Sequence, residues 1–351
     1  MTSVQRVSFR VLQMNLNHCW TAQQLLQQTM AERSVDLAII SDYHRAASDV
    51  QHWVSSTDGK CAVLLNRSSN AAISATGCGF GFAWVRIGAV ALYSCYCTPN
   101  CSNDEFDTFL CGLEASIRNA QAASADIVVA GDFNSHSAEW GSASEDLRGA
   151  LLSNFAAALD LLVCNEGTTP TYHRVNASSV IDVTFARTSR REQPLVTDWT
   201  VLSEINSASD HDYIEFMVND SRGSHHNPFR RPETASGWAV KKLSTEKLSE
   251  YWNECGQPSI LDNANADDHA AQLQKFLFDA CEAAMPCRTV FKGRRAMHWW
   301  SDAIAVLRAE TIAARRQYQR AGRRANQDGR TAAFEVYNQK RKDLRTAIRW
   351  A

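Results

Sequence analysis

Short apolar runs of strand type recur throughout the first 220 residues of the chain. In these runs apolar residues alternate with polar ones, or several β-branched residues follow one another, and both patterns are typical of strands. The runs between residues 61 and 97 are expected to form an antiparallel meander. Strands are predicted at residues 9–15, 36–41, 61–66, 71–75, 81–87, 89–97, 126–130, 161–165, 180–185, 199–205 and 213–218.

Helical spacing of apolar residues separates these strands in three places. Helices are predicted at residues 21–33, 103–123 and 145–159, with Thr21 and Asn103 as candidate first residues. The polar stretch 219–236, rich in Pro, Gly, Ser and charge, is typical of a linker. Beyond it the strand pattern stops, and residues 243–253, 267–284 and 301–350 read as helices. We therefore expect a first domain at 1–220, a linker at 221–236 and a helical, basic region at 237–351.

The charge distribution adds a candidate partner. The formal net charge is only −2, but from Arg288 onward 16 Lys and Arg residues face 5 Asp and Glu residues. A basic end on an otherwise acidic chain favours an anionic partner such as nucleic acid. A solvated helix face explains the same pattern without a partner. Trp299 and Trp300 likewise fit either base stacking or burial. The candidate DNA contacts are Arg315, Arg316, Arg323 and Arg324.

Other features narrow the class of protein. The residues after Met1 contain no uninterrupted apolar stretch, and no run of apolar residues is long enough to span a bilayer, so we expect neither a signal peptide nor membrane attachment. The 11 cysteines show no C-x-x-C pair, which disfavours a structural zinc site and favours free thiols.

Polar side chains stand repeatedly where predicted strands end or are interrupted. After the apolar run 127–130, Asp132 and Asn134 follow at alternate positions, which point to one side of an extended chain. Asp182 interrupts an apolar run, and an unpaired buried carboxylate is costly. Taken singly, the residues at strand ends also fit turns and caps. The full set is Asn15, Asp42, Tyr96, Asp132, Asn134, Asp182, Asp210 and His211.

These residue types together suit phosphodiester hydrolysis. Carboxylate and amide oxygens are the ligands that a hard cation such as Mg²⁺ prefers. A positioned Asp or His can take the proton of an attacking water, and a phenol or an amide can hydrogen-bond the transition state. The coincidence of all these groups in one predicted domain favours this chemistry over isolated turns.

Five segments, in order, resemble the endonuclease/exonuclease/phosphatase superfamily: QMNLN, YCTPN, VVAGDFNSHSAEWGS, SSVIDVTF and SDHDYIEF. Within it the chain is similar to the apurinic-like endonuclease domain of arthropod-type non-LTR retrotransposons, over about residues 7–220. The segments HWWSDAIAVLRAETIAARRQYQR and YNQKRKDLRTAIRWA resemble part of the connector towards a reverse transcriptase, a domain that we do not expect in this chain.

The resemblance implies a role for each candidate. Asp132 orients or deprotonates the attacking water, and Asn134 and Tyr96 contact the phosphate. His211, oriented by Asp182, contacts the phosphate or moves a proton. The implied metal-side residues are Asp42, Asn15 and Asp210.

The resemblance also implies a fold and a reaction. The fold is a four-layer α/β sandwich of two mixed β-sheets flanked by helices, like deoxyribonuclease I, followed by a C-terminal α-helical extension. The reaction is Mg²⁺-dependent nicking of double-stranded target DNA, with Mn²⁺ as an alternative ion, to leave a 3′-hydroxyl for target-primed reverse transcription. Element RNA is a further implied partner, and the implied location is the nucleus.

One residue departs from the family pattern. The principal metal ligand of the family is a Glu, usually followed by Pro, whereas IISDYHR places Asp42 there without the Pro. From the same Cα, Asp reaches about 1.5 Å less far than Glu. Two alternatives therefore stay open: a catalytically impaired, domesticated or truncated fragment that binds nucleic acid, and a phosphatase of the same superfamily.

Overall fold

The computed structural model describes residues 7–44, 53–66, 69, 73–123, 125–174, 177–188, 194–220, 235–238, 242–255, 266–289, 297–322 and 327–351. The chain forms two compact units. The first contains Met1–Gly223 together with Arg295–Ala351, and the second contains Ser224–Arg294. None of the helices in these ranges is long and apolar enough to cross a membrane.

The strands of the described ranges are, in chain order, β1 (Val7–Asn15), β2 (Leu37–Ser41), β3 (Trp53–Ser55), β4 (Cys61–Leu65), β5 (Ile73–Gly79), β6 (Phe82–Ile87), β7 (Val90–Tyr96), β8 (Asp126–Asp132), β9 (Leu162–Val163), β10 (Tyr172–His173), β11 (Ser178–Ser179), β12 (Asp182–Arg187), β13 (Val196–Val201), β14 (Ile214–Asp220), β15 (Ala235–Trp238) and β16 (Cys287–Thr289). The α-helices are α1 (Trp20–Arg33), α2 (Asn103–Ala122), α3 (Leu147–Ala158), α4 (Thr245–Cys255), α5 (Ala266–Ala284), α6 (Asp302–Gly322) and α7 (Gln327–Trp350).

Two mixed sheets form the centre of the first unit. Among the described strands, one sheet has the order β13-β14-β1-β2-β4-β3 and the other the order β5-β6-β7-β8-β12-β9. Each contains a parallel pair, β1 with β2 and β7 with β8, and antiparallel neighbours on either side. The carboxyl ends of the two parallel pairs carry most of the candidate residues.

Alternation along the strands divides the apolar side chains among three cores. Val11 and Ile39 of the first sheet pack with Leu92 and Val128 of the second in the core between the sheets. The opposite faces of the first and second sheets pack against α1 and against α2 with α3, respectively. The resulting order of helix, sheet, sheet and helix confirms the predicted four-layer α/β sandwich.

The C-terminal helices pack on the α1 side of this sandwich. Trp299, Ile304, Leu344 and Ile348 are buried in the same core cluster as the residues of α1. The side chain of Lys340 pairs with Glu310, and Tyr318 contacts Phe334, so α6 and α7 run antiparallel. Trp299 therefore serves burial, one of the two roles open to it from the sequence.

Several local expectations are corrected by the structure. The strand at 61–66 belongs to the first sheet as β4, while β5, β6 and β7 alone form the meander. Alternation identifies a strand but does not identify its neighbours. The helix expected at 301–350 is divided into α6 and α7, and residues 323–326 between them lie outside the described ranges.

Helix starts and short strands also differ from expectation. Cys19 occupies the N-cap position of α1 without a capping hydrogen bond from its side chain, whereas Ser102 caps α2 in a capping box with Glu105. Beyond residue 236, β15 pairs with β16 inside the second unit, although no strand was expected there. That region was also expected to be one helical domain, whereas residues 295–351 pack with the first unit.

Candidate functional site

Strand register brings the candidate residues of the two sheets to one edge of the sandwich. Asn15 ends β1 and pairs with Ser41, the residue before Asp42. In the second sheet Tyr96 ends β7 and pairs with Asp132, the last residue of β8. The two edges are joined by the Ser41 hydroxyl, which donates to the carbonyl of Cys95 at 2.9 Å and accepts from the backbone N–H of Asp132 at 3.3 Å.

Asp132 is the centre of the hydrogen-bond network at this edge. Its carboxylate is buried, with Oδ2 accepting from Asn15 Nδ2 at 2.6 Å and Oδ1 accepting from the Asn134 backbone N–H at 2.9 Å. Asn15 Oδ1 in turn accepts from the Asn17 backbone N–H at 2.7 Å, which fixes the amide orientation. Asn15 is thus a direct partner of Asp132, in agreement with its expected place beside that residue.

His211 and Asp182 form a buried pair next to Asp132. His211 Nδ1 lies 2.8 Å from Asp182 Oδ2, while His211 Nε2 lies 3.9 Å from Asp132 Oδ2. Asp182 begins β12 directly opposite Asp132 in the sheet. The ring of Tyr172 lies against His211 with centroids 4.8 Å apart. The imidazole is therefore held between two carboxylates, with its Nε2 side towards Asp132.

Burial and mutual charge set the protonation of this group. Burial raises the pKa of Asp132 to about 7; the charge of Asp182 adds to the rise, and His211 opposes it. Burial alone would lower the pKa of His211, but the charge and hydrogen bond of Asp182 raise it to about 9. At neutral pH the imidazole is mainly protonated, and Asp132 is near the middle of its titration.

The same three residues form a candidate metal site. One ligand atom from each of Asp132, Asp182 and His211 lies within 4.8 Å of the other two. Asp182 Oδ1 is buried and has no hydrogen-bond partner among the described residues. A buried carboxylate oxygen without a partner is costly unless a cation or a water meets it. The two carboxylates are therefore compatible with a hard divalent cation, whereas His211 would have to lose its proton before it could serve as a ligand.

Asp42 stands at the end of β2 with an unusual backbone. Its φ is +44°, in the left-handed region that Asp and Asn adopt more readily than Glu. The local turn is fixed by backbone hydrogen bonds, from Asp42 N to the Lys60 carbonyl and from His18 N to the Asp42 carbonyl. Burial raises the pKa of the Asp42 carboxyl, against the opposing charges of Lys60, His18 and His211. Asp42 does not belong to the candidate metal site formed by Asp132, Asp182 and His211.

Asn134 and Tyr96 border the network around Asp132. Asn134 has a φ of +47°, and its Nδ2 donates to the carbonyl of Cys97 at 2.9 Å. Burial and the charges of Asp42 and Asp132 raise the pKa of Tyr96 well above its usual value. Its phenol therefore keeps its proton at neutral pH and can donate a hydrogen bond.

The loop that carries His211 is held by four arginines of α6 and α7, which we call the arginine clamp. Arg315 Nη1 and Nη2 lie 2.6 and 2.7 Å from the two carboxylate oxygens of Asp212, and Arg341 Nη2 lies 2.7 Å from Asp210 Oδ1. The clamp also includes Arg308, which donates to the Asn206 carbonyl at 3.2 Å, and Arg345, which donates to the Ala208 carbonyl at 2.8 Å.

Both acidic neighbours of His211 are thus occupied by the clamp. Asp210, expected on the metal side, pairs with Arg341 and also accepts from Asn17 Nδ2 at 3.2 Å. Asp212 is bonded by His173 at 3.0 Å as well as by Arg315. Burial would raise the pKa of Asp212, but the hydrogen bonds from His173 and Arg315 hold it below its usual value.

The expected DNA contacts need correction in the light of these pairs. Arg315 is 8% exposed and its guanidinium is engaged by Asp212, so it does not present its charge to a phosphate. Arg316 is on the surface and pairs with Glu204. Arg323 and Arg324 lie outside the described residues.

Sequence reasoning missed the clamp, although a signal was present. Arg308 and Arg315 lie on one face of α6 together with Ile304 and Thr311, because these residues recur at intervals of three, four and seven. On α7, Arg341 lies three residues before the buried Leu344 and Arg345 lies directly after it. Arginine inside an apolar stripe indicates a buried ion pair or carbonyl contact, whereas the overall charge excess suggests a solvated face.

Comparisons with known proteins agree with this description. Residues 90–215 match the family model described as endonuclease-reverse transcriptase. Among curated proteins no match is found.

Several solved structures are similar to part of this chain. The endonuclease domain of TRAS1, a telomere-specific non-LTR retrotransposon, is 24% identical, with a TM-score of 0.48 over 60% of this chain and 98% of that one. A variant of the 3′ phosphatase NExo from Neisseria, bound to a product DNA hairpin, is 14% identical, with a TM-score of 0.48 over 59% and 98%. The catalytic domain of Xenopus laevis APE2 is 14% identical, with a TM-score of 0.46 over 60% and 92%.

The matched segment 90–215 contains Tyr96, Asp132, Asn134, Asp182 and His211, which the structure gathers at one edge of the sandwich. The family match thus confirms, over residues 90–215, the resemblance to the endonuclease/exonuclease/phosphatase superfamily.

Proposed function

We propose that the chain is a Mg²⁺-dependent endonuclease that nicks one strand of target-site DNA and leaves a 3′-hydroxyl for target-primed reverse transcription. The observation that carries the proposal is the buried arrangement of Asp132, His211 and Asp182, which lie within the segment similar to endonuclease–reverse transcriptase proteins, together with Asn15 of β1, which donates to Asp132. Double-stranded DNA is the proposed substrate. The element's RNA is a second proposed partner, and the proposed location is the nucleus.

Asp132 is suited to accept the proton of the attacking water. A general base acts best when its pKa lies near the working pH, and burial brings the pKa of Asp132 to about 7. The hydrogen bonds from Asn15 and the Asn134 backbone fix the carboxylate before substrate binds. Because the base needs no reorganisation, its orientation contributes directly to the rate.

His211 is suited to stabilise the phosphate. Asp182 keeps it protonated and oriented through Nδ1, so that Nε2 can donate to a phosphate oxygen. The phenol of Tyr96 and the amide of Asn134 supply further donors at the same edge. Donors fixed in advance around the developing charge account for much of the rate acceleration in hydrolytic sites.

A divalent cation fits the carboxylates of this edge. The buried Asp182 Oδ1, which lacks a partner among the described residues, and the carboxylate of Asp132 provide oxygen ligands of the kind that Mg²⁺ prefers. Asp42, which lies outside that group, is a further proposed ligand from the family resemblance. When bound, such an ion neutralises phosphate charge and stabilises the leaving oxygen.

Nicking of supercoiled plasmid DNA, with Mg²⁺ and with EDTA, tests the proposal. Wild type is expected to produce open-circular DNA only with the ion, and the nick is expected to be extendable by a polymerase, since it ends in a 3′-hydroxyl. Asp132→Asn and His211→Ala are expected to lower the rate at least about 100-fold, the scale of a lost acid–base group. Asp107→Asn and His298→Ala change exposed residues and serve as matched controls.

The outcomes separate the candidate functions. A folded wild type that binds duplex DNA but does not nick it supports the alternative of a catalytically impaired binding fragment, for which the shorter Asp42 is the motive. Release of phosphate from small phosphomonoesters, without nicking, supports a phosphatase.

A further inference from the structure

A cavity of about 280 Å³ lies beside the loop of His211, between that loop and the C-terminal helices. Arg174 and Asp210 line it on the side of the sandwich, and Tyr318, Tyr337 and Arg341 line it on the side of α6 and α7. All of these residues belong to the first compact unit. The cavity has no role in the chemistry proposed above.

The helical wall of the cavity is an aromatic stack. The rings of Tyr318 and Tyr337 are parallel to within 10°, with centroids 6.2 Å apart. Phe334 lies 5.3 Å from Tyr318, and the Arg341 guanidinium lies 5.6 Å from the ring centre of Tyr337. Since Tyr318, Phe334 and Tyr337 are only partly buried, a planar ligand can reach them. Aromatic rings and guanidinium planes are the surfaces on which unstacked bases bind.

The charge of the cavity favours an anion. Its two carboxylates, Asp210 and Asp212, are each paired with an arginine of the clamp. Arg174 adds a further positive charge; it is exposed and makes no ion pair among the residues that the structure describes. The surplus charge at the cavity mouth is therefore positive, as binding to a phosphate requires.

The position of the cavity connects it to the reacting group. Asp210 lines the cavity and is the residue before His211. Tyr172 forms a second connection, because its ring lies 4.8 Å from His211 and 5.9 Å from the guanidinium of Arg174. The cavity therefore borders the loop that positions His211.

We propose that this cavity binds a nucleotide that flanks the scissile phosphate and leaves the base stack of the target DNA. Its base joins the stack of Tyr318 and Tyr337, and its phosphate meets Arg174. Because every base has a π face, the site selects for a deformable step more than for a particular base. This inference rests on the proposed endonuclease function.

The test uses the full chain and a duplex that spans the nick mapped on plasmid DNA. 2-Aminopurine replaces one base at a time on either side of the nick, and fluorescence and affinity are measured in EDTA, so that binding is observed without chemistry. For wild type, fluorescence is expected to change on binding at one flanking position above all. Tyr337→Ala is expected to abolish this signal and to weaken binding about tenfold, the scale of one lost base stack. Tyr337→Phe is expected to retain both.

Matched variants guard against indirect effects. Trp350→Ala removes an exposed aromatic side chain from the same helix and is expected to change neither the signal nor the affinity. Arg174→Ala changes an exposed side chain and is expected to lower the slope of log K against log salt by about one. If Tyr337→Ala fails to fold, the Arg174→Ala slope decides.

The failure of this inference is distinguishable from that of the proposed function. If wild type nicks DNA but Tyr337→Ala or Arg174→Ala binds as wild type does, the cavity is not a nucleotide site. If wild type binds DNA, gives the position-specific signal at one base of a tiled duplex and never nicks, the endonuclease function is wrong and the cavity still binds a nucleotide.

Discussion

Arg315→Ala is expected to destabilise the first unit strongly, although the sequence alone suggests a surface residue. The substitution leaves the Asp212 side chain, which is 2% exposed, with His173 as its remaining charged partner. Removing one member of a buried ion pair costs about 3–5 kcal/mol, because a buried charge stays uncompensated. His173, which is 29% exposed, keeps its hydrogen bond to Asp212 at 3.0 Å, and this contact offsets part of the cost. We therefore expect a loss near the lower end, about 3 kcal/mol.

The neighbouring residue supplies the control. Arg316 pairs with Glu204, but the two side chains are 50% and 65% exposed. A surface pair of this kind contributes roughly 0–1 kcal/mol, so Arg316→Ala is expected to change stability by less than that. Both variants remove one arginine from the same turn of α6 and alter the net charge equally.

Hydrogen exchange in β14 is the assay, because the chain has two compact units and a global unfolding curve would mix them. Slowly exchanging amides of β14 report the free energy of opening the first unit. A double-mutant cycle of Arg315→Ala with Asp212→Ala is expected to show a coupling of about 1–3 kcal/mol. The usual effect of a surface substitution is roughly 0.5 kcal/mol. If Arg315→Ala and Arg316→Ala lower the free energy of opening by amounts within about 0.5 kcal/mol of each other, the assignment of a buried, stabilising pair is refuted.

Three other predictions follow from the same structure. The folded-state pKa of Asp212 is depressed, so its contribution to stability is present above the unfolded pKa of about 3.9 and is lost as pH falls from there through the folded-state pKa. The stability advantage of wild type over Asp212→Asn, measured by hydrogen exchange in β14, is therefore expected to shrink below about pH 4. Asp42→Glu is expected to lower the Mg²⁺ concentration for half-maximal nicking, because the Glu side chain reaches farther. It is also expected to cost about 1 kcal/mol in thermal unfolding, because the backbone at this position is left-handed. An unchanged Mg²⁺ requirement would contradict a ligand role for Asp42. Ending the chain at residue 220 is expected to expose the core surface now covered by Trp299 and Leu344 and to produce aggregation or a lower melting temperature, whereas an unchanged melting temperature would show that the helices add no stability.

The family resemblance in the sequence predicted the sandwich, and the sequence also indicated residues that meet at one edge of it, whose roles stay predictions. Apolar alternation located most of the strands, and Asp132 and Asp182 were found because each interrupts a run that is otherwise buried. Their mutual distances could not be predicted, because they depend on the register between strands that are far apart in the chain. The meeting of Asn15 with Asp132 across two sheets is of this kind.

The C-terminal helices show where sequence reasoning ends. Counting charges indicated a basic face for a nucleic acid, whereas Arg315 is buried against Asp212. The composition gives the number of positive charges. Whether a given charge faces solvent or a carboxylate depends on how the helices pack. The backbone of Asp42 is a similar case, since its positive φ depends on hydrogen bonds to Lys60 and His18 that no local pattern encodes.

The arginine clamp also imposes an order on synthesis. Ribosomes synthesise a chain from its amino end, so the loop with His211 leaves the ribosome well before α6 and α7, whose arginines hold it. Before α6 and α7 are made, the strands can pair, but the loop that carries His211 has none of the contacts that Arg315 and Arg341 later provide. The helices that hold the loop with His211 are therefore made after the loop itself, and a nascent chain interrupted before α7 lacks the contacts of Arg341 and Arg345 with that loop.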